Sequence, residues 1–184
     1  MPISTGRPAA ALPGAMAPGA EVPQRLFILP GGLAFSSQPG LLRTLLGSCV
    51  SMVAWHPRRR IGGMCHYLLA DRPRSGDGEP DGRYGDDALA MIEQRMLAAG
   101  TPPAEYVAGI YGGANVVDFA GVPDIGRRNI EAADAWCRRH GIAVIERDVG
   151  GRYHRVIEFN VGEGHVRVRE GACAAKLSTT EETP

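Results

Sequence analysis

At 184 residues the chain has the size of one ordinary domain, large enough to bury a core without metals or a disulfide framework. Its 20 Lys+Arg balance 20 Asp+Glu, so no net field draws it to nucleic acid or to an acidic membrane surface. No segment approaches the roughly 18 uninterrupted apolar residues of a membrane span, which predicts a cytoplasmic protein without membrane insertion.

Residues 1–24 are dominated by Ala, Pro and Gly and carry too little bulky apolar surface to offset the entropy of ordering, so a disordered tail is expected. Small residues around "AMA" imitate a leader cleavage site, but Pro and Gly break the apolar run and Arg7 is the only early basic residue. A single domain is expected over 25–172, followed by a flexible tail over 173–184. Short apolar runs at "RLFILP" (25–30), "LLRTLL" (41–46), "CVSMVAW" (49–55) and "IGGMCHYLLA" (61–70) predict strands. "HPRRR" between the last two reads as a hairpin connection, with His56 as a solvated turn residue. "DRPRSGDGEPDGRYGDD" (71–87) predicts an exposed, mobile loop able to act as a lid.

From Asp86 the pattern turns helical. Leu89, Ile92 and Met96 recur at helical steps, and Gly100 with Pro102 supplies the stop. Residues 105–114 read as a strand running into a glycine turn. Asn129 is the expected N-cap of a second helix, whose Ile130, Ala133 and Cys137 form one apolar stripe ended by Gly141. Closing strands are expected over 142–151, 155–164 and 165–170, the last two as a hairpin turning at Gly162–Gly164. This order predicts an α+β fold with extended antiparallel pairing.

Four cysteines, Cys49, Cys65, Cys137 and Cys173, are too sparse for a disulfide scaffold and are expected as reduced thiols. No pair has C-x2-C or H-x3-H spacing, and Cys65 and His66, as strand neighbours, point to opposite faces, so no metal site is expected. A C-x5-R phosphatase loop would need arginine where Trp55 stands, and no glycine pair forms a nucleotide-binding fingerprint.

Cys49 follows Gly47–Ser48 at a break between apolar runs, where successive backbone N–H groups of a tight turn converge into an oxyanion hole; the plainer alternative is a small buried hydrophobe opening a strand. His66 lies in the next predicted strand. Adjacent strands run ~4.8 Å apart, so its imidazole can reach the thiol and permit a thiolate–imidazolium pair; the alternative is a core histidine bonded to a carbonyl. "GGA" (112–114) and "GG" (150–151) are read as tight turns needing positive φ. Arg155 either pairs with a buried acid or orients a loop near the site, and Asn115 and Asp148 are equally open.

"TLLGSCV", "GGMCHYLL", "IYGGANV", "IGRRN" and "DVGGRYHRVIEF" occur in an order and spacing that closely resemble the chemoreceptor glutamine deamidase family, CheD, from about Leu26 to Val168. The resemblance implies a cofactor-free cytoplasmic hydrolase that converts selected glutamines of methyl-accepting chemoreceptors to glutamate with release of ammonia. It implies a layered α/β sandwich similar to a bacterial toxin deamidase. By motif position the nucleophile maps onto Cys49 and the base onto His66, with backbone N–H groups at Ser48 and Cys49 as the oxyanion hole. The family's third catalytic group is a Thr or Ser a few positions ahead of the cysteine. Arg43 stands six ahead and Thr44 five, so the role falls to Thr44 through a one-residue shift. The resemblance also implies binding of CheC-type phosphatases, which would be the only role left to a chain with weakened catalysis. Methylester hydrolysis is a further alternative that shares the nucleophile.

Overall fold

β4 (Val50–His56) and β5 (Ile61–Tyr67) are buried at every position, whereas β3 (Gly40–Leu46) alternates between buried and open positions. That contrast follows from layering: a strand covered on both faces can be apolar throughout, and one that faces water on one side must alternate. The computed structural model describes residues 24–73, 78–115 and 124–171. Apart from Gln24, the expected N-terminal tail lies outside the described residues, as do the C-terminal tail 173–184 and Cys173 with it.

The described chain is α+β, with two sheets and two α-helices. One sheet has five strands in the order β2-β5-β4-β6-β7, with β2 Leu33–Ser36, β6 Val107–Gly112 and β7 Ala143–Val149. The other has four in the order β1-β3-β8-β9, with β1 Gln24–Phe27, β8 Arg155–Asn160 and β9 His165–Glu170. α1 (Gly85–Ala98) and α2 (Ile125–Arg139) cover one face of the five-stranded sheet, where Met52, Ala54, Cys65 and Tyr67 pack with Leu89, Ile92, Met96, Ala133 and Cys137. Its other face meets the second sheet, with Val53, Trp55 and Met64 packed among Leu42, Leu46, Ile157 and Phe159. Most buried positions on β4 and β5 therefore belong to one of two apolar layers, with Ser51, His56 and His66 as polar exceptions.

Several expectations need correction. Pairing is mixed: β6 and β7 run parallel because α2 returns the chain to the same end, and β1 and β3 run parallel with β2 lodged in the other sheet between them. β2 escapes sequence reading because four residues between turns show no periodicity. α2 begins at Ile125 under a cap from Asp124, whose carboxylate accepts from the Arg127 N–H at 2.9 Å, so Asn129 is not the cap but a fully buried residue inside the helix. His56 is not solvated. It closes β4 at 1% exposure, with Nε2 2.8 Å from Glu105 and its ring edge-on to Tyr106, because the short turn Pro103–Glu105 folds over it. The connection that follows does turn tightly, with Arg60 at φ 55°. Of the expected loop 71–87, residues 74–77 lie outside the described residues, and the flanks are tied down. Arg72 pairs with Asp87 at 3.0 Å, and the Asp81 N–H donates to the same carboxylate at 2.8 Å.

On β7, the carboxylate oxygens of Glu146 are buried beside Tyr111, and burial, with a smaller contribution from Asp148, pushes this carboxyl up to about 7. A carboxyl that holds its proton more tightly when folded stabilises the fold fully below its ordinary value and loses that contribution as pH rises through its folded value. Wild-type melting temperature should therefore fall between about pH 4.5 and about pH 7 by more than that of Glu146→Gln. Equal slopes in the two thermal melts would refute this assignment.

Candidate active site

β3 ends at Leu46 in one sheet and β4 begins at Val50 in the other, so Gly47–Ser48–Cys49 is the crossing between layers. Three consecutive carbonyls of this crossing are engaged. Gly47 C=O accepts from Ala114 N–H at 2.8 Å, Cys49 C=O from Gly113 N–H at 2.8 Å, and Ser48 C=O from Asn129 Nδ2 at 3.1 Å. In a planar trans peptide the N–H points opposite to the preceding C=O. The N–H groups of Ser48 and Cys49 thus project away from Ala114 and Asn129, toward the other side of the turn.

The donors are themselves braced. Gly112 and Gly113 hold φ of 105° and 66°, and a side chain on Gly112 would run into the Cys49 carbonyl. Arg155, fully buried, donates to the carbonyls of Gly112, Asp148 and Gly150 and pairs with the Asp148 carboxylate at 2.8 Å. Of the two open alternatives for Arg155, the loop-orienting one is realised behind Cys49, and the acid it also meets, Asp148, is only partly buried. Asn115 joins the same brace through its N–H, which donates to Gly151 C=O at 2.9 Å.

His66 sits on β5 directly opposite Ser51 of β4. Cys49 precedes Ser51 by two residues, and it packs against the cluster between the sheets, the layer that also holds Met64 two residues before His66. Cys65 faces the helices instead. On β3, Thr44 points inward with Leu42 and Leu46, and Arg43 points out to solvent. Of these two residues, only the threonine faces the interior.

Thr44 Oγ1 lies 2.6 Å from the Ile28 carbonyl oxygen and 2.8 Å from His66 Nδ1. A hydroxyl has one proton, and a carbonyl can only accept, so Thr44 donates to Ile28 and accepts from Nδ1–H. This fixes the tautomer. The lone pair of neutral His66 is then on Nε2, which is buried and has no hydrogen-bond partner, the Cys49 thiol included. Ser51 Oγ, across the strand pair, is likewise buried and unpartnered.

The electrostatics differ from the expected thiolate–imidazolium pair. Burial raises the Cys49 thiol above its ordinary value, and burial lowers the His66 imidazole below its own, each only partly offset by a backbone hydrogen bond. Both shifts favour the neutral thiol and the neutral imidazole, because burial leaves neither charge well solvated. Alkylation of Cys49 by iodoacetamide, followed across pH by mass spectrometry, should therefore show an apparent pKa no lower than that of an ordinary thiol. An apparent pKa well below about 8.5 would overturn this resting state.

Asn129 is the residue that sequence reasoning missed. Its signal was present: Asn129, Ala133 and Cys137 are spaced four apart, which puts the asparagine on the helix's buried stripe rather than at its start. Above it opens a groove of about 130 Å3 between Leu69–Asp71 and the first turns of α2. Among the described residues, no group of three His, Cys, Asp or Glu side chains is arranged to hold a metal ion.

The family model for CheD chemotactic sensory transduction matches residues 68–170. A probable chemoreceptor glutamine deamidase, CheD 3 of Dechloromonas aromatica, is 42% identical over 143 residues, which cover 77% of this chain and 84% of that protein. A probable CheD 1 of Chromobacterium violaceum is 35% identical over 156 residues, covering 83% and 81%, and a probable CheD of Pseudomonas syringae pv. tomato is 39% identical over 151 residues, covering 78% and 88%.

Proposed function

The chain belongs to the CheD family, and from that premise we propose how its residues perform the family's reaction. It is a chemoreceptor glutamine deamidase, an amidohydrolase that turns receptor glutamine side chains into glutamate with release of ammonia. Cys49 is the nucleophile, His66 the general base and acid, Thr44 the group that orients the base, and the N–H groups of Ser48 and Cys49 the oxyanion hole. The observation that carries this reading is the Thr44–His66 hydrogen bond of 2.8 Å, which leaves Nε2 as the free base on the side of the sheet that Cys49 faces.

Because thiol and imidazole rest neutral, the proton moves as substrate arrives. The Cys49 proton passes to His66 Nε2 as sulfur attacks the carboxamide carbon, and the carbonyl electrons shift onto oxygen. Backbone N–H donors hold that oxyanion, each worth about 3 kcal/mol of barrier. The C–N bond then breaks, Nε2–H protonates the departing nitrogen, and ammonia leaves a thioester. Nε2 next takes a proton from water, whose oxygen attacks the thioester carbon, and the proton returns to sulfur as glutamate is released.

The reading places the enzyme in the cytoplasm, where it meets receptor cytoplasmic domains, and likens its layered sandwich to the toxin deamidases. It includes a CheC-type phosphatase as a binding partner, which co-purification tests. The regulator-only alternative arose from the position six ahead of Cys49, where Arg43 stands, and an inward Thr44 five ahead supports the catalytic reading over it. Receptor cytoplasmic fragments incubated with the enzyme should gain the mass of a Gln-to-Glu change together with ammonia; methanol release without ammonia would mean ester hydrolysis instead. Thr44→Val forfeits a charge-assisted hydrogen bond of about 1.5–3 kcal/mol once His66 is protonated, so kcat should fall about 10- to 100-fold, with Thr44→Ser close to wild type. An unimpaired Thr44→Val enzyme would remove threonine from the mechanism.

A further inference from the structure

Asn129 occupies a position on the buried stripe of α2, one helical turn before Ala133, where apolar side chains are the rule. Its Nδ2 donates to two carbonyls, Ser48 at 3.1 Å and Leu68 at 2.8 Å. With acceptors on both sides the amide orientation is forced, since the reverse placement would set Oδ1 against two carbonyl oxygens. Its own backbone carbonyl accepts from Tyr67 Oη at 2.6 Å. Oδ1 is buried without a partner, an arrangement that costs stability and that a leucine would avoid. What the asparagine supplies in return is the pair of donors.

Of these two donors, one anchors the side chain to Leu68, just past the end of β5, and the other acts on the peptide that joins Ser48 to Cys49. A donor on the carbonyl of a peptide polarises the N–H at its opposite end and makes it a stronger donor in turn. That N–H belongs to Cys49. Building on the mechanism above, we propose that Asn129 is a positioning residue for deamidation: through Nδ2 it fixes and polarises the Ser48–Cys49 peptide, so that the Cys49 N–H is aimed at the oxyanion of the tetrahedral intermediate.

The test separates oxyanion stabilisation from mere support of the turn. Alkylation of a thiol by iodoacetamide displaces iodide and develops no oxyanion, so it reports on Cys49 and His66, where burial outweighs the Cys49 backbone hydrogen bond in setting the thiol. Asn129→Leu, compared with wild type on a receptor cytoplasmic fragment, should lower kcat about 10- to 100-fold, with KM within about twofold and the rate of Cys49 alkylation unchanged across pH. Asn129→Ser, whose hydroxyl can serve one carbonyl, should recover part of the loss, and it is read by the same three measurements should the leucine variant not fold. An unchanged kcat overturns the proposal, and so does a fall in kcat matched by altered alkylation. A Cys49→Ala enzyme that still deamidates would instead bring down the mechanism beneath it, whatever Asn129 does.

Discussion

Replacing Cys49 by alanine should abolish conversion of receptor glutamine to glutamate, lowering kcat by about 10,000-fold or more, as removal of a covalent nucleophile does elsewhere. The substitution is mild for the fold. Cys49 is only partly buried, and the turn around it is held by backbone carbonyls that alanine keeps. No other described thiol can stand in: Cys65 and Cys137 are buried on the helix side of the sheet, and burial pushes both up to about 12. The measurement is mass spectrometry of the receptor fragment at matched enzyme concentration, with circular dichroism to show an intact fold. Residual activity within tenfold of wild type would rule out a cysteine mechanism at this position.

His66→Asn should cost about 100- to 10,000-fold in kcat, the range that positioned proton transfer supplies. Asparagine places an N–H near where Nδ1–H meets Thr44, so the hydrogen bond to β3 has a substitute while the base at Nε2 is gone. The wild-type pH profile carries a second signature. Burial lowers the His66 pKa, so the acidic limb of kcat/KM, where Nε2 becomes protonated and can no longer accept the thiol proton, should lie below the ordinary imidazole value of 6.5. In His66→Asn that limb should disappear. A variant that keeps both its rate and its acidic limb would show that another group titrates.

Cys49 and His66, the proposed reacting pair, stand out in the sequence because their residue types are rare and because they lie at the start of one strand and on its neighbour: a cysteine after Gly-Ser, and a histidine on β5. Which residue stood third was not legible, because in a strand a one-residue shift reverses facing, and nothing in "LLRTLL" says which parity is inward. Only packing against the five-stranded sheet decides that Thr44, Leu42 and Leu46 turn in and Arg43 turns out. The protonation state was likewise hidden, since the desolvation that keeps thiol and imidazole neutral comes from layers contributed by the whole chain. Helices and most strands announced themselves through periodicity and glycine stops. The parallel pairs and the short β2 did not, as they depend on where a crossover returns the chain.

Thr44, Cys49 and His66 all fall within one unbroken stretch whose ends are 22 positions apart, whereas Ala114, Asn129 and Arg155, which brace it, come from well downstream. Chemistry and support are therefore inherited on separate parts of the gene. A chimera that takes residues 41–68 from one relative and the remainder from another would carry all three proposed catalytic side chains, yet on the proposed mechanism its rate would depend on whether the recipient's glycine loop and second helix present the same donors to the transplanted turn. Divergence among such enzymes can accordingly adjust rate and selectivity through the brace while leaving the reactive stretch untouched.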